Sequence, residues 1–119
     1  MNESELKQRT KQFALRVIAL VDALPNSTSG RALGNQLVRS GTSVGANYRA
    51  ACRGRSRADF VARLGTVEEE ADESAYWMEL IMEGGLLPEN RVQHLHREAD
   101  ELTAIVASSI KTARRKPPS

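Results

Sequence analysis

Residues 40–56, SGTSVGANYRAACRGRS, combine small side chains with arginines and contain no carboxylate. Gly41 and Gly45 would suit a phosphate-binding loop, but no lysine follows in the spacing GxxxxGKS or GxxxxGKT, and GxGxxG is absent. On a helix the two glycines lie one turn apart, where a neighbouring backbone can approach closely. Since each glycine costs a helix about 1 kcal/mol, we expect close packing to offset the cost, with Ser40 and Ala46 in the same shallow groove.

The acids and histidines do not have the spacing of a metal site. Glutamates four residues apart occur twice in the segment 59–83, so they can share a helix face. Di-iron sites in helical bundles also need Glu-x-x-His motifs, and neither His94 nor His96 has a glutamate three residues before it. The two histidines are two positions apart, which places them on nearly opposite sides of a helix. We therefore predict no metal and no cofactor.

Cys52 is the candidate nucleophile that the sequence offers. Arg49, Arg53 and Arg55 lie near it in the chain and would lower its pKa if the thiol were exposed. No histidine is placed in sequence to act as its base, and a lone cysteine is more often a small buried hydrophobe. We predict no catalytic residues and no enzyme activity.

The charges are arranged in blocks, although the formal net charge is only +2. Residues 23–58 contain six arginines and no acid, whereas residues 59–83 contain eight acids and one base, Arg63. Such blocks bind a polyanion, or they pair with each other within a fold or between subunits. The residues predicted to contact nucleic acid are Arg49, Arg53, Arg55, Arg57, Arg114, Arg115 and Lys116. The alternative is that the arginines pair with the acids at 68–73, and the residues leave both interpretations open.

Four helices must position these groups. Turn signals divide the chain into four segments of helical periodicity, and no alternating apolar and polar run predicts a strand. We expect helices at about 4–24, 30–52, 57–83 and 88–113, with Ser29 and Ser56 as N-caps, and a basic tail at 114–119. Helices of this size are about 30 to 40 Å long and pack side by side. The predicted fold is an all-α, antiparallel up-and-down four-helix bundle in a single domain, 1–119.

Some apolar stripes are too wide for an isolated bundle. Two residues of the first helix lie off its main seam, and YWMELIM at 76–82 places apolar side chains around most of the third helix. We expect another subunit to cover part of this surface, and the alternative is a thick core with the tryptophan half exposed. The residues predicted at the oligomer interface are Leu15, Ile18, Tyr76, Trp77 and Leu80.

Several features predict a cytoplasmic protein that does not enter a membrane. The longest apolar runs fall far short of the roughly 20 residues that span a bilayer. The N-terminal residues MNESELKQRT lack the apolar stretch of a secretory signal. A single cysteine forms no internal disulfide, as expected in a reducing compartment.

The segment 37–81 resembles the central signature of the small bacterial four-helix-bundle proteins named for members encoded in intervening sequences of large-subunit ribosomal RNA genes. The matching positions are Arg39, Ser40, Ser43, Val44, Ala46, Asn47, Ser56, Asp59 and Phe60. Many relatives carry Glu-Gly where this chain has Ala50 and Ala51. The resemblance implies an up-and-down bundle and ring-like homo-oligomers, with a pentamer favoured. It also implies a relationship to the accessory proteins of diversity-generating retroelements, which bind nucleic acid and reverse transcriptase.

Two hypotheses on function follow. In the first, the protein is a non-enzymatic homo-oligomer whose basic surface binds RNA or DNA. In the second, it is a protein-interaction scaffold whose arginines make subunit or partner contacts. Alanine at Arg49, Arg53 and Arg57 is expected to weaken nucleic-acid binding under the first hypothesis and to break the oligomer under the second.

Overall fold

The structure of the protein is a computed structural model, and it describes residues 1–115. Within these residues it consists of four α-helices joined by short turns, with no strand. The helices are α1 (Glu3–Asp22), α2 (Thr28–Cys52), α3 (Arg57–Glu83) and α4 (Glu89–Arg115). Their ends lie within about two residues of those expected from the sequence, and the all-α bundle is confirmed. Lys116, one of the predicted contact residues, lies outside the described part of the chain.

The helices form an up-and-down bundle that measures 53 × 20 × 19 Å. α2 packs against α1 and α3, and α3 also packs against α4, whereas α4 meets α1 much less extensively. α1 and α3 lie diagonally opposite, and in the described part of the chain no Cα atom of one lies within 8 Å of a Cα atom of the other. The central seam is apolar, as its periodicity predicted, and Phe13, Leu37, Leu64 and Leu102 are fully buried in it.

Side-chain caps fix where three of the helices begin. Ser56 caps α3 as predicted, because its hydroxyl accepts a hydrogen bond from the Asp59 amide at 3.0 Å. The prediction that Ser29 caps α2 is wrong, since Ser27 accepts the bond from the Gly30 amide at 3.1 Å. The turn before α2 folds back tightly: a Cβ at Gly30 would lie 2.1 Å from the carbonyl oxygen of Pro25. This fold-back moves the start of α2 ahead of the predicted position.

Glycines set the distance between α1 and α2. A Cβ at Gly41 would lie 2.8 Å from both γ-methyl groups of Val17, and one at Gly45 would lie 3.2 Å from Oγ1 of Thr10. Carbon atoms pack best at about 3.5 to 4.0 Å, so only glycine at position 41 allows the observed approach without a shift. The predicted role of these glycines in close helix packing is confirmed.

Ser40 and Ala46, which were expected in the shallow groove formed by Gly41 and Gly45, lie elsewhere. Ser40 is fully buried and faces α3, where its hydroxyl oxygen lies 2.9 Å from that of Ser74 and the two share a hydrogen bond. Ala46 is exposed. The reason is geometric, because a rotation of 100° per residue turns both positions away from the line through Gly41 and Gly45.

No helix within residues 1–115 combines the length and apolar character needed to cross a membrane.

Candidate nucleic-acid interface

Three helix ends bring the predicted arginines to one end of the bundle. Because neighbouring helices run antiparallel, α2 ends where α3 begins, and α4 ends at the same level. Arg49 lies in the last turn of α2, and Arg53 is the residue that caps its C-terminus. We call this part of the molecule the basic end, and it is formed by Arg49, the turn at 53–56, Arg57 and the last turn of α4 with Arg114 and Arg115.

The arginines of the basic end are exposed, and most of them have no carboxylate partner. No ion pair between described residues involves Arg49, Arg53, Arg55, Arg114 or Arg115. Arg114 and Arg115 also lie in the last turn of α4, where the negative end of the helix dipole stabilises a positive charge. Five guanidinium groups are therefore available to an external anion.

The acidic block of α3 pairs with a different arginine. Arg39 of α2 donates a hydrogen bond to Glu70 at 3.1 Å and forms a second ion pair with Glu73. Pairing between the arginine block and α3 thus occurs across the bundle at Arg39. In the part of the chain that the structure describes, it does not extend to Arg49, Arg53 or Arg55.

The acids nearest the basic end are held in local pairs. Asp59 accepts from Nε of Arg63 one turn further along α3, at 3.1 Å to its closer oxygen. Glu3 lies 3.1 Å from the ammonium group of Lys7 on α1. The Lys7 ammonium is the main cause of the lowered pKa of Glu3, a fully exposed group. Asp59 and Glu3 are thus paired with bases, whereas Glu5 accepts a hydrogen bond from the uncharged side chain of Asn2 at 2.7 Å. The unpaired arginines outnumber this acid and keep the surface positive.

A second basic feature, which the sequence reasoning missed, lies between α1 and α2. A groove of about 500 Å³ is lined by Lys7, Lys11 and Arg49, with Gly45 and Ala46 among the small residues along it. The i,i+4 spacing of the two lysines was visible in the sequence. Their position beside Arg49 depends on the register of α1 on α2, which the glycine contacts set. The groove extends the basic end along one side of the bundle.

Cys52 does not have the environment of a nucleophile. It is half-buried, and burial is the main cause of the raised pKa of its thiol, whereas Tyr48 lowers that pKa and Glu3 raises it. Nearby Tyr48 is buried, and desolvation together with the thiol raises the pKa of its phenol. The condition for a lowered thiol pKa, exposure beside the arginines, is not met, so the thiol stays protonated at neutral pH.

The two histidines lie in different environments on α4. Nε2 of His96 lies 2.8 Å from a carboxylate oxygen of Glu79, which joins α4 to α3, and its Nδ1 lies 3.7 Å from Asp100. His94 is exposed to solvent. Within residues 1–115, no three His, Cys, Asp or Glu side chains are grouped so that they could hold a metal ion.

The residues predicted at an oligomer interface form two separate patches. Leu15 and Ile18 on α1 are 51% and 40% exposed, and Tyr76 on α3 is 52% exposed. α1 and α3 are diagonally opposite helices, so the patches lie on opposite sides of the bundle. Trp77 is half-buried against the core, and its indole N–H donates to Glu73 at 3.0 Å. Leu80 is half-buried as well.

Comparison with known proteins identifies the chain's relatives. The sequence model described as "23S rRNA-intervening sequence protein" matches residues 2–108. A solved structure of a protein with unknown function, from the S23 ribosomal protein family of Bacteroides thetaiotaomicron, has a TM-score of 0.86 and 32% sequence identity. The match covers 93% of this chain and 99% of that one. Comparison with curated protein sequences gave no match. Neither description is that of an enzyme family, and the chain belongs to the 23S rRNA-intervening sequence protein family.

Proposed function

We propose that this protein is a non-enzymatic, cytoplasmic nucleic-acid-binding protein whose basic end contacts the phosphates of RNA. The observation that carries the proposal is the set of five exposed arginines without an ion-pair partner in residues 1–115, gathered from three helix ends. Arginine presents a planar fork of donors that matches a phosphate group. Like charges at one end repel each other, and a bound polyanion relieves that repulsion and releases its counterions.

RNA is the polyanion that we propose first. The printed name of the matching family refers to 23S rRNA, and that of the similar solved protein refers to a ribosomal protein family. Contacts to phosphate position a protein on a nucleic acid without reading its sequence. We therefore expect binding that depends weakly on base sequence and that extends to DNA of the same length.

The ionic strength dependence of binding tests the proposal. Each phosphate contact to a single strand contributes about −0.7 to the slope of log K against log salt concentration. Five arginine contacts therefore predict a slope of about −3.5 when a fluorescently labelled 20-nucleotide RNA is titrated by anisotropy. A slope near zero, or no binding at low salt, would exclude the basic end as a phosphate site.

We propose further that copies of the chain assemble into a closed ring, with a pentamer favoured by the family resemblance. Leu15 and Ile18 are exposed on α1, and Tyr76 is exposed on α3, the helix diagonally opposite. If the α1 patch of one copy meets the α3 patch of the next, the contact is head-to-tail, and such contacts form rings when the rotation closes. The acids on α3 and the lysines on α1 add complementary charge to such a contact.

Sedimentation velocity tests the assembly. We expect a single species larger than a monomer at micromolar concentration, and Leu15→Asp should convert it to monomers by burying an unpaired charge at the contact. Arg97→Asp, an exposed position on α4, serves as the control for the added aspartate. A wild-type monomer at micromolar concentration would rule out this assembly.

The second candidate function is a protein-interaction scaffold in which the same arginines contact a subunit or a partner protein. Its support is the charge complementarity between the arginine block and the acids of α3, which is realised within the chain at Arg39. Under this function, alanine at the basic end changes the mass of the assembly, whereas under the first it changes the affinity for RNA. The two readouts separate the candidates.

A further inference from the structure

A cleft opens at the basic end between the start of α3 and the last turns of α4. Its volume is about 640 Å³, within the range of about 300 to 1,000 Å³ that small-molecule sites occupy. Phe60 and Arg57 line it from α3, and Ser108 and Thr112 line it from α4. Ala51 of α2 is fully buried there and closes one side with apolar surface. The cleft is thus lined by α2, α3 and α4, the three helices whose ends carry the arginines.

The lining is chemically suited to a neutral, planar group rather than to a second phosphate. It contains no carboxylate, and Arg57 is its single ionised side chain among the described residues. Phe60 is partly buried and contributes an aromatic ring, which can stack on another ring. The hydroxyl groups of Ser108 and Thr112 lie one helical turn apart, are exposed and have no hydrogen-bond partner within residues 1–115. Hydroxyl groups both donate and accept, so they can bind the polar edge of a heterocycle.

The surroundings of the cleft are suited to an anionic chain. Arg53 and Arg55 belong to the turn that leads into it, and Arg114 and Arg115 follow Ala113, which lines it. α3 begins at the cleft, so the positive end of its dipole adds to the field of the arginines. A ligand that combines a flat neutral ring with flanking phosphates is a nucleotide within a strand.

We infer that the cleft binds one unstacked base of an RNA strand while the arginines around it bind the neighbouring phosphates. The inference rests on the proposed function, because it assigns the base-binding part of the same surface. Base pairing in a duplex keeps the bases stacked inside the helix, so the ligand class is single-stranded RNA or an unpaired loop. Stacking of a base on an aromatic side chain is sequence-tolerant, since every base has a π face.

The expected contribution of the base is measurable. Base stacking on an aromatic residue is worth about 1 to 3 kcal/mol, which corresponds to roughly 5- to 150-fold in affinity. Two probes isolate it: a 12-nucleotide single-stranded RNA, and the same strand with abasic sites in place of its central bases, which keeps every phosphate. The wild-type protein should bind the intact strand at least about 5-fold more tightly than the abasic strand.

Two variants and one control locate the effect in the cleft. Thr112→Leu narrows the cleft at an exposed helix position without adding an aromatic ring, and Phe60→Leu removes the ring while keeping an apolar side chain. Both should bring the affinity for the intact strand down to that for the abasic strand, which itself should stay unchanged. Thr66→Leu makes the same substitution at an exposed position on α3 that lines no cavity named above, and it should behave like wild type. Thermal melts followed by circular dichroism confirm that each variant is folded.

The outcomes separate the inference from the proposal beneath it. Equal wild-type affinity for the intact and abasic strands would overturn the inference and leave phosphate binding in place. A preference for the intact strand that survives both Thr112→Leu and Phe60→Leu would also overturn it, because the base would then bind elsewhere. Binding of neither strand at low salt would overturn the proposed function and the inference with it.

Discussion

The contact between Gly41 and Val17 makes a sharp prediction about how α1 and α2 pack. A methyl group added at Gly41 would lie 2.8 Å from both γ-methyl groups of Val17, well inside the optimal spacing of about 3.5 to 4.0 Å. Val17 is fully buried, so its methyl groups cannot turn outward into solvent. The substitution Gly41→Ala must therefore shift α1 away from α2 or strain the valine.

The magnitude follows from two opposing effects. Overpacking a well-filled core lowers the free energy of unfolding by about 1 to 3 kcal/mol, whereas replacing glycine by alanine inside a helix raises it by about 1 kcal/mol. We therefore expect Gly41→Ala to lower the free energy of unfolding by about 1 kcal/mol. Gly65 on α3 provides a matched control, because no atom lies within 4 Å of the Cβ that alanine would add there. Gly65→Ala should raise the free energy of unfolding by about 1 kcal/mol.

Urea denaturation followed by far-ultraviolet circular dichroism measures both variants, at one fixed protein concentration because assembly affects apparent stability. The difference between the two substitutions, about 2 kcal/mol, isolates the contact, since the helix-propensity gain is common to both. In a Val17→Ala background the two closest methyl groups are gone, but the Cβ of residue 17 still lies 3.1 Å from the added methyl group, so Gly41→Ala should become less destabilising. If Gly41→Ala instead stabilises the wild-type protein as much as Gly65→Ala does, the close approach of α1 to α2 is refuted.

Three further predictions concern buried polar groups. Ser74→Ala should lower the free energy of unfolding by about 1 kcal/mol, and a urea double-mutant cycle with Ser40→Ala should be non-additive because the two hydroxyls share a hydrogen bond. The pKa of Glu98 is lowered, chiefly by hydrogen bonds from Arg9. The ionised Glu98 therefore stabilises the fold at pH values above its pKa in the unfolded chain, about 4.3, and this stabilisation is lost as the pH falls through its pKa in the folded protein. The stability gap between wild type and Arg9→Ala should therefore narrow below about pH 4, and a constant gap would contradict this. Burial raises the pKa of Cys52, so iodoacetamide should alkylate it more slowly than a free thiol at pH 8, and equally fast in urea.

Much of the fold was predictable because helical periodicity and turn residues are local signals. The spacing of Phe13 and the other seam residues follows the helical period, and the glycines at 41 and 45 predicted a close contact that the structure confirms. The start of α2 was predicted less accurately, because Ser29 was the expected cap and Ser27 is the observed one. The choice between them depends on how the turn folds back on Gly30.

The candidate site was predictable only in part, because its geometry depends on how the helices are rotated and aligned against one another. The absence of acids around Arg53 is a property of the sequence, and so is the convergence of helix ends in an up-and-down bundle. Which arginine pairs with α3 depends on the rotation of each helix about its axis, and that rotation selects Arg39. The place of Lys11 beside Arg49 depends on the register of α1 against α2, which a single sequence does not contain.

A charge-matched pair of variants tests the central claim, that the basic end binds nucleic-acid phosphates. The first variant replaces Arg49, Arg53 and Arg55 with alanine. The second serves as control and removes the same charge from exposed arginines of the other half of the bundle, near the start of α2 and along the first turns of α4. The residues replaced in the control are Arg31, Arg91 and Arg97.

The decisive measurement is the affinity of both variants for one labelled single-stranded RNA over a range of salt concentrations, together with their mass by light scattering. The basic-end variant should lose at least about tenfold in affinity at low salt and about 2 units of salt slope, with its mass unchanged. The control should keep both the affinity and the slope. Equal losses in the two variants would show that only net charge matters, and a changed mass in the basic-end variant would assign these arginines to a protein contact instead.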